Sequence, residues 1–137
     1  MSIPFVNELE FEYGEVARLS PRIRRVIAKN PSPFTYFGTG TYIVGSGEVA
    51  VIDPGPDLES HVDALEAALE GELVTHIMVT HTHRDHSPAA RILQRRVGGT
   101  IYAFGPHGSG RPEAGVAVEE GTDHDFVPDI PLKDGDT

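Results

Sequence analysis

The run from Leu73 to Thr80 constrains this chain more than any other feature. It is mostly apolar and β-branched, and it leads straight into three histidines and an aspartate, His81, His83, Asp85 and His86. A run this short, with this composition, reads as a central strand covered on both faces rather than as an independent helix. Such a strand needs partners beside it and helices above it.

The flanking sequence supplies both. Thr41-Tyr42-Ile43-Val44 has the content of a strand, Gly45-Ser46-Gly47 turns the chain, and Glu48 to Ile52 returns as the hairpin partner before Asp53-Pro54-Gly55-Pro56 ends it. Val16 to Leu19 and Ile23 to Ile27 read as two shorter strands around Ser20-Pro21, with their arginines facing water. From Asp57, a candidate N-cap, Leu58, Val62, Leu65 and Leu69 recur at helical spacing as far as Gly71. Ser87-Pro88 is the opening signature of a second helix that runs to Val97, and Thr100 to Phe104 follows as a strand. Strand pairs followed by helix, strand, helix and strand indicate an α/β fold, a mixed sheet with flanking helices. Gly105 to Gly115 and the acidic stretch Asp123 to Asp129 read as loop and surface, and Asp134-Gly135-Asp136 as a hairpin-type turn.

Composition narrows the function. The 137 residues suit one domain, and 21 acidic against 11 basic residues, a formal charge of −10, argue against a broad footprint for nucleic-acid phosphates. With no cysteine, any zinc must be held by nitrogen and oxygen ligands. No secretory signal or membrane-spanning run is recognisable, which gives the expectation of a cytoplasmic protein without membrane association.

His81, His83, Asp85 and His86 are the candidate metal ligands. Imidazole nitrogen with carboxylate oxygen suits zinc first, and manganese or iron less exclusively. A His-x-His pair leaving a strand can wrap one ion, while Asp85 and His86 point toward a neighbouring position, so two ions sharing a water become feasible. Asp53, closing its strand, either orients a ligand histidine or simply forms the turn before Pro54-Gly55, and spacing leaves both open. His76 reads as a structural histidine in its strand and His61 as a helix-surface residue. His107 and His124 are loop residues and are not assigned to metal.

Three segments taken in order, Gly-Thr-Gly-Thr-Tyr-Ile-Val-Gly (38–45), Val-Ile-Asp-Pro-Gly (51–55) and Thr-His-Thr-His-Arg-Asp-His-Ser (80–87), resemble the metallo-β-lactamase superfamily. Asn30-Pro31-Ser32-Pro33-Phe34-Thr35 and the Arg-Asp-His-Ser variant resemble most its β-lactamase-like protein 2 branch, neighbour to glyoxalase II. The resemblance implies an αββα sandwich in which His81 and His83 hold the first metal, Asp85 and His86 the second, and Asp53 supports the site. Family members complete the site with two further histidines and a bridging aspartate from later in the chain, which have no counterpart here. The chain is therefore expected to be the N-terminal half of the sandwich, residues 1–137, with a complementary C-terminal segment or a homo-oligomer completing it.

The implied function is a metal-dependent hydrolase in which metal-bound hydroxide attacks an ester, thioester or phosphodiester, with Asp85 as the catalytic carboxylate that holds the second ion and the nucleophile. A small-molecule substrate or RNA is the expected partner. The alternative is a non-catalytic metal-binding or interaction module.

Overall fold

A computed structural model describes residue 4, residues 8–109 and residues 121–137. Among the described residues seven strands and two helices follow in the order β1 (Ala17–Ser20), β2 (Ile23–Ile27), β3 (Gly40–Ser46), β4 (Glu48–Ile52), α1 (Glu59–Ala68), β5 (Leu73–Met78), α2 (Ala89–Val97), β6 (Thr100–Ala103) and β7 (Ile130–Pro131). They form one mixed sheet whose spatial order, β1 to β7, is the order of the chain. The first four strands pair antiparallel, and β4, β5, β6 and β7 pair in parallel. That change of direction follows from the connections. The turn at Ser46 to Glu48 reverses β3 into β4, whereas parallel neighbours need a crossover, which α1 provides between β4 and β5 and α2 between β5 and β6.

Both helices lie on one face of the sheet. Val62, Leu65 and Leu69 of the first helical segment, with Ala89, Ala90 and Leu93 of α2, pack on Ile43, Val49, Val51, Ile77 and Ile101. All of these are at most 3% exposed. Their burial, at about 1.5–3 kcal/mol for each large apolar side chain, is the main force holding the helices down.

The expected helices form at shifted starts. α1 begins at Glu59, with Leu58 rather than Asp57 at the N-cap and no side-chain cap. Ser87 does not cap α2, because its hydroxyl donates to Asp123 Oδ2 at 2.6 Å. Nor do the arginines of β2 all face water. Arg24 turns under the helix face, where it donates to Glu72 Oε2 at 2.6 Å and to the Ala68 carbonyl at the end of α1.

The central strand is covered on one face only among the described residues. Val74 and Ile77 face the helices, while His76 lies exposed on the other face, stacked on Tyr102 at 4.7 Å and bonded to Thr75 Oγ1 through Nδ1. Tyr42, Val44, Ala50, Ile52 and Met78 share that open, partly apolar face by alternation along paired strands.

The acidic stretch also departs from expectation. Phe126 is 7% exposed, and Asp129 accepts bonds from the Ile101 N–H, Gln94 and Arg91, which ties β7 to the sheet edge. Of the loop expected from Gly105 to Gly115, residues 110–115 lie outside the described residues.

Candidate metal centre

The site sits where β4 and β5 end, at the carboxyl edge of the parallel strands, the usual place for ligands in such sheets. Asp53 follows β4 and takes a left-handed backbone, φ 52°, that few residues other than glycine adopt. Its amide donates to Met78 O at 2.8 Å, fastening the turn to the end of β5. Gly55 ties the same turn to the histidine loop, donating to His86 O and accepting from the Ala89 amide.

The Asp53 carboxylate is 8% exposed for the whole residue and is fully engaged within the protein. Oδ1 accepts the Thr80 amide at 2.8 Å, and Oδ2 accepts the Thr80 hydroxyl at 2.7 Å and His86 Nδ1–H at 3.0 Å. Burial pushes its pKa up, but the bonds from His86 and Thr80 outweigh burial and hold it below the ordinary carboxylate value.

Those bonds fix two imidazoles. The Thr80 hydroxyl gives its single proton to Asp53, so it accepts from His81 Nδ1–H at 2.9 Å. His81 and His86 are thereby both held with Nδ1 protonated and Nε2 available. Their ring centroids lie 4.0 Å apart, and those of His81 and His83 4.6 Å apart.

His86 Nε2 stands 3.1 Å from Asp85 Oδ2. A lone pair facing a carboxylate oxygen at that distance is repulsive, so a cation must lie between them, either a proton on the ring or a metal ion. Burial lowers the His86 pKa, but its bond to Asp53, the Asp53 and Asp85 charges and its bond to Asp85 together raise it. His81 shifts the other way, through burial and then the neighbouring His86 and His83. One set of ligand atoms, from His81, His83 and Asp85, lies within 4.8 Å of one another, as does a second from Asp53, His81 and His86. Nitrogen and carboxylate donors so gathered fit a divalent cation such as zinc. In the second set the Asp53 oxygens already accept three hydrogen bonds, which suits a supporting carboxylate better than a ligand.

A second clamp holds the loop from the far side. The Thr82 carbonyl accepts the Asp123 amide, Arg84 donates to Gly121 O and Thr122 O, and His83 pairs with Thr122. A cavity of about 260 Å³ opens beside the cluster, lined by Thr80, His81, His83, Phe104, Pro106 and His107. His107 lines this cavity with its Nδ1 2.8 Å from the Thr82 hydroxyl, and the His124 ring packs on it at a centroid distance of 5.2 Å.

The sequence reading thus has its five named residues, His81, His83, Asp85, His86 and Asp53, in one place. It missed Thr80, although a threonine immediately before His-x-His is a visible donor. It also misplaced His61, which is 2% exposed beneath the Asp53 turn.

A family model of the metallo-beta-lactamase superfamily matches residues 35–137. The chain belongs to the metallo-beta-lactamase superfamily. Among curated relatives, an atrochrysone carboxyl ACP thioesterase of Aspergillus terreus is 37% identical over 92 residues, covering 61% of this chain and 29% of the relative. The lactamase-like protein ptaB of Pestalotiopsis fici is 30% identical over 117 residues, covering 81% and 35%. The chain spans roughly a quarter to a third of the length of the curated relatives it matches. Among solved structures, a subclass B3 metallo-beta-lactamase of Bradyrhizobium japonicum superposes with a TM-score of 0.56 at 17% identity, over 89% of this chain and 46% of that one. A beta-lactamase domain protein from Burkholderia ambifaria gives 0.54 at 23% identity, over 72% and 34%. These likenesses establish the metallo-beta-lactamase fold. Among the described residues no helix is long and apolar enough to cross a membrane.

Proposed function

We propose that this superfamily member is a metal-dependent hydrolase of thioesters, with His81 and His83 holding one ion, Asp85 and His86 a second, and Asp53 supporting them. The observation that carries the reading is the contact between His86 Nε2 and Asp85 Oδ2, with the His86 Nδ1 proton on Asp53, which leaves a position suited to a cation. Two zinc ions, or manganese or iron in their place, would lower the pKa of a shared water and polarise the carbonyl under attack.

The chain's own residues do the rest. Asp53 fixes His86 directly and His81 through Thr80, so both present Nε2. Asp85, beside His86, is the carboxylate placed to hold a proton or ion at the reacting position. Phe104, 63% exposed, and Pro106 give the cavity an apolar wall suited to an acyl chain. The thioester is chosen over an ester or phosphodiester because relatives from Aspergillus terreus and a Cryptosporiopsis species are named as acyl carrier protein thioesterases. A charge of −10 also disfavours RNA as substrate. The likeness to β-lactamase-like protein 2 and glyoxalase II stays within this proposal as a second route to the same superfamily chemistry.

We further infer that residues 1–137 form the N-terminal portion of the sandwich, with a complementary segment over the open sheet face. The test is hydrolysis of acyl thioesters by the intact protein, lost on chelation, regained with zinc and absent in His81→Ala. Hydrolysis that survives both chelation and His81→Ala would refute the reading.

A further inference from the structure

Beneath the Asp53 turn lies a histidine that the proposed chemistry does not use. His61 projects from α1, and its Nε2 is 2.8 Å from the hydroxyl of Thr41, itself fully buried in β3. That hydroxyl gives its one proton to the Asp53 carbonyl at 2.7 Å, so it must accept from His61 Nε2–H. The ring is neutral, since burial lowers its pKa to about 4 against a smaller opposing effect from the Pro54 carbonyl. Its Nδ1 is buried with no hydrogen-bond partner among the described residues, and the Thr41 bond keeps the proton on Nε2.

The turn lies directly on this ring. A Cβ on Gly55 would stand 3.1 Å from His61 Cδ2 and Nε2, and Gly55 has φ 94°. Asp53, two residues before it, holds a left-handed φ of 52°, a conformation that is strained outside glycine and persists only when its surroundings impose it. One constraint on Asp53 is the amide bond to Met78 O, and the other is the carbonyl bond from Thr41.

We propose that His61 and Thr41 are positioning residues, whose relay grips the Asp53 carbonyl and so sets the turn that aims the Asp53 carboxylate at Thr80 and His86. The relay joins α1, β3 and the end of β4. Its consequence for metal binding rests on the reading of the site given above, but its effect on His86 does not.

The test uses the intact protein and four variants. Thr41→Val keeps the shape and removes the hydroxyl, whereas Thr41→Ser restores it. His61→Met fills the volume without a donor, whereas His61→Gln keeps an N–H. In the metal-free protein, at a pH above the titration of His86, nitrogen NMR of its ring should show the Nδ1–H form in wild type, Thr41→Ser and His61→Gln, and a mixture of tautomers in Thr41→Val and His61→Met. Zinc affinity, read by chelator competition, should fall about tenfold or more in the two breaking variants, as when a group supporting a ligand histidine is lost. Wild-type His86 signals and zinc affinity in both breaking variants would overturn the proposal, as would equal losses in Thr41→Ser and Thr41→Val. If wild type binds no zinc, the metal reading fails while the His86 tautomer still decides the relay. If wild type and breaking variants bind zinc alike with unchanged His86, the relay fails and the metal reading stands.

Discussion

Lowering the pH from 7 to 5 probes the burial of His61 directly. The folded ring has a pKa of about 4 against a reference of 6.5. Between those values the unfolded chain carries a proton that the folded chain lacks, so unfolding takes up a proton and stability falls as pH falls. Above pH 6.5 both states are neutral and the effect vanishes, while below pH 4 it is complete. A gap of about 2.5 between the two pKa values corresponds to about 3 kcal/mol, of which about 2 kcal/mol is lost between pH 7 and 5. His86 has the opposite sign, since its raised pKa adds stability at low pH that is lost as pH rises through the folded value. Urea unfolding across this range, with chelator present because metal binding itself exchanges protons, should be compared in wild type and His61→Gln. Both proteins carry His86, so their difference isolates His61, and the variant should lose less stability on acidification. Parallel curves for the two would refute the assignment of a neutral, buried His61.

Four other substitutions separate the parts of the structure. Asp53→Asn should fold, because asparagine tolerates a left-handed backbone, yet should lose about 10–100-fold in zinc affinity measured by calorimetry. Leu65→Ala, at a fully buried position between helix and sheet, should cost about 2–5 kcal/mol in urea unfolding. Arg91→Ala, which removes an exposed ion pair with Asp129, should cost under about 1 kcal/mol. Asp129→Ala should cost more, about 1–3 kcal/mol, because it strips the acceptor from the amide of buried Ile101.

Local pattern explains what was legible in the sequence. The β3–β4 hairpin and the strand before the histidines carry their signals within a few residues, and so does the cluster itself. Asp53 reads from spacing alone as either support or turn, and in the fold its left-handed turn also brings its carboxylate to His86 Nδ1. His61 reads as a helix-surface residue, although it lies three residues after Leu58 and four before Leu65, on the same helical stripe. Its partner Thr41 is 20 positions away, and no local rule joins them. Likewise, the acidity of 123–129 says nothing about which donors meet Asp123 and Asp129. Ser87 and Ile101 do so across 36 and 28 positions. β7, two residues long and paired to β6, has no periodicity to read. The second face of β5 looked covered because the run is apolar, but His76 marks the face that is not.

The identity between strand order in space and strand order in the chain bears on how the molecule comes to exist. From β1 to β6 each strand docks on the one made just before it, so these closures span a loop or one helix and incur little entropy beyond that of the segment itself. Assembly can proceed in the direction of synthesis, with β3 and β4 in place before the histidines emerge. Asp53 and Thr41 are then already waiting when Thr80, His81 and His86 arrive, so the template of the site precedes the histidines it orients.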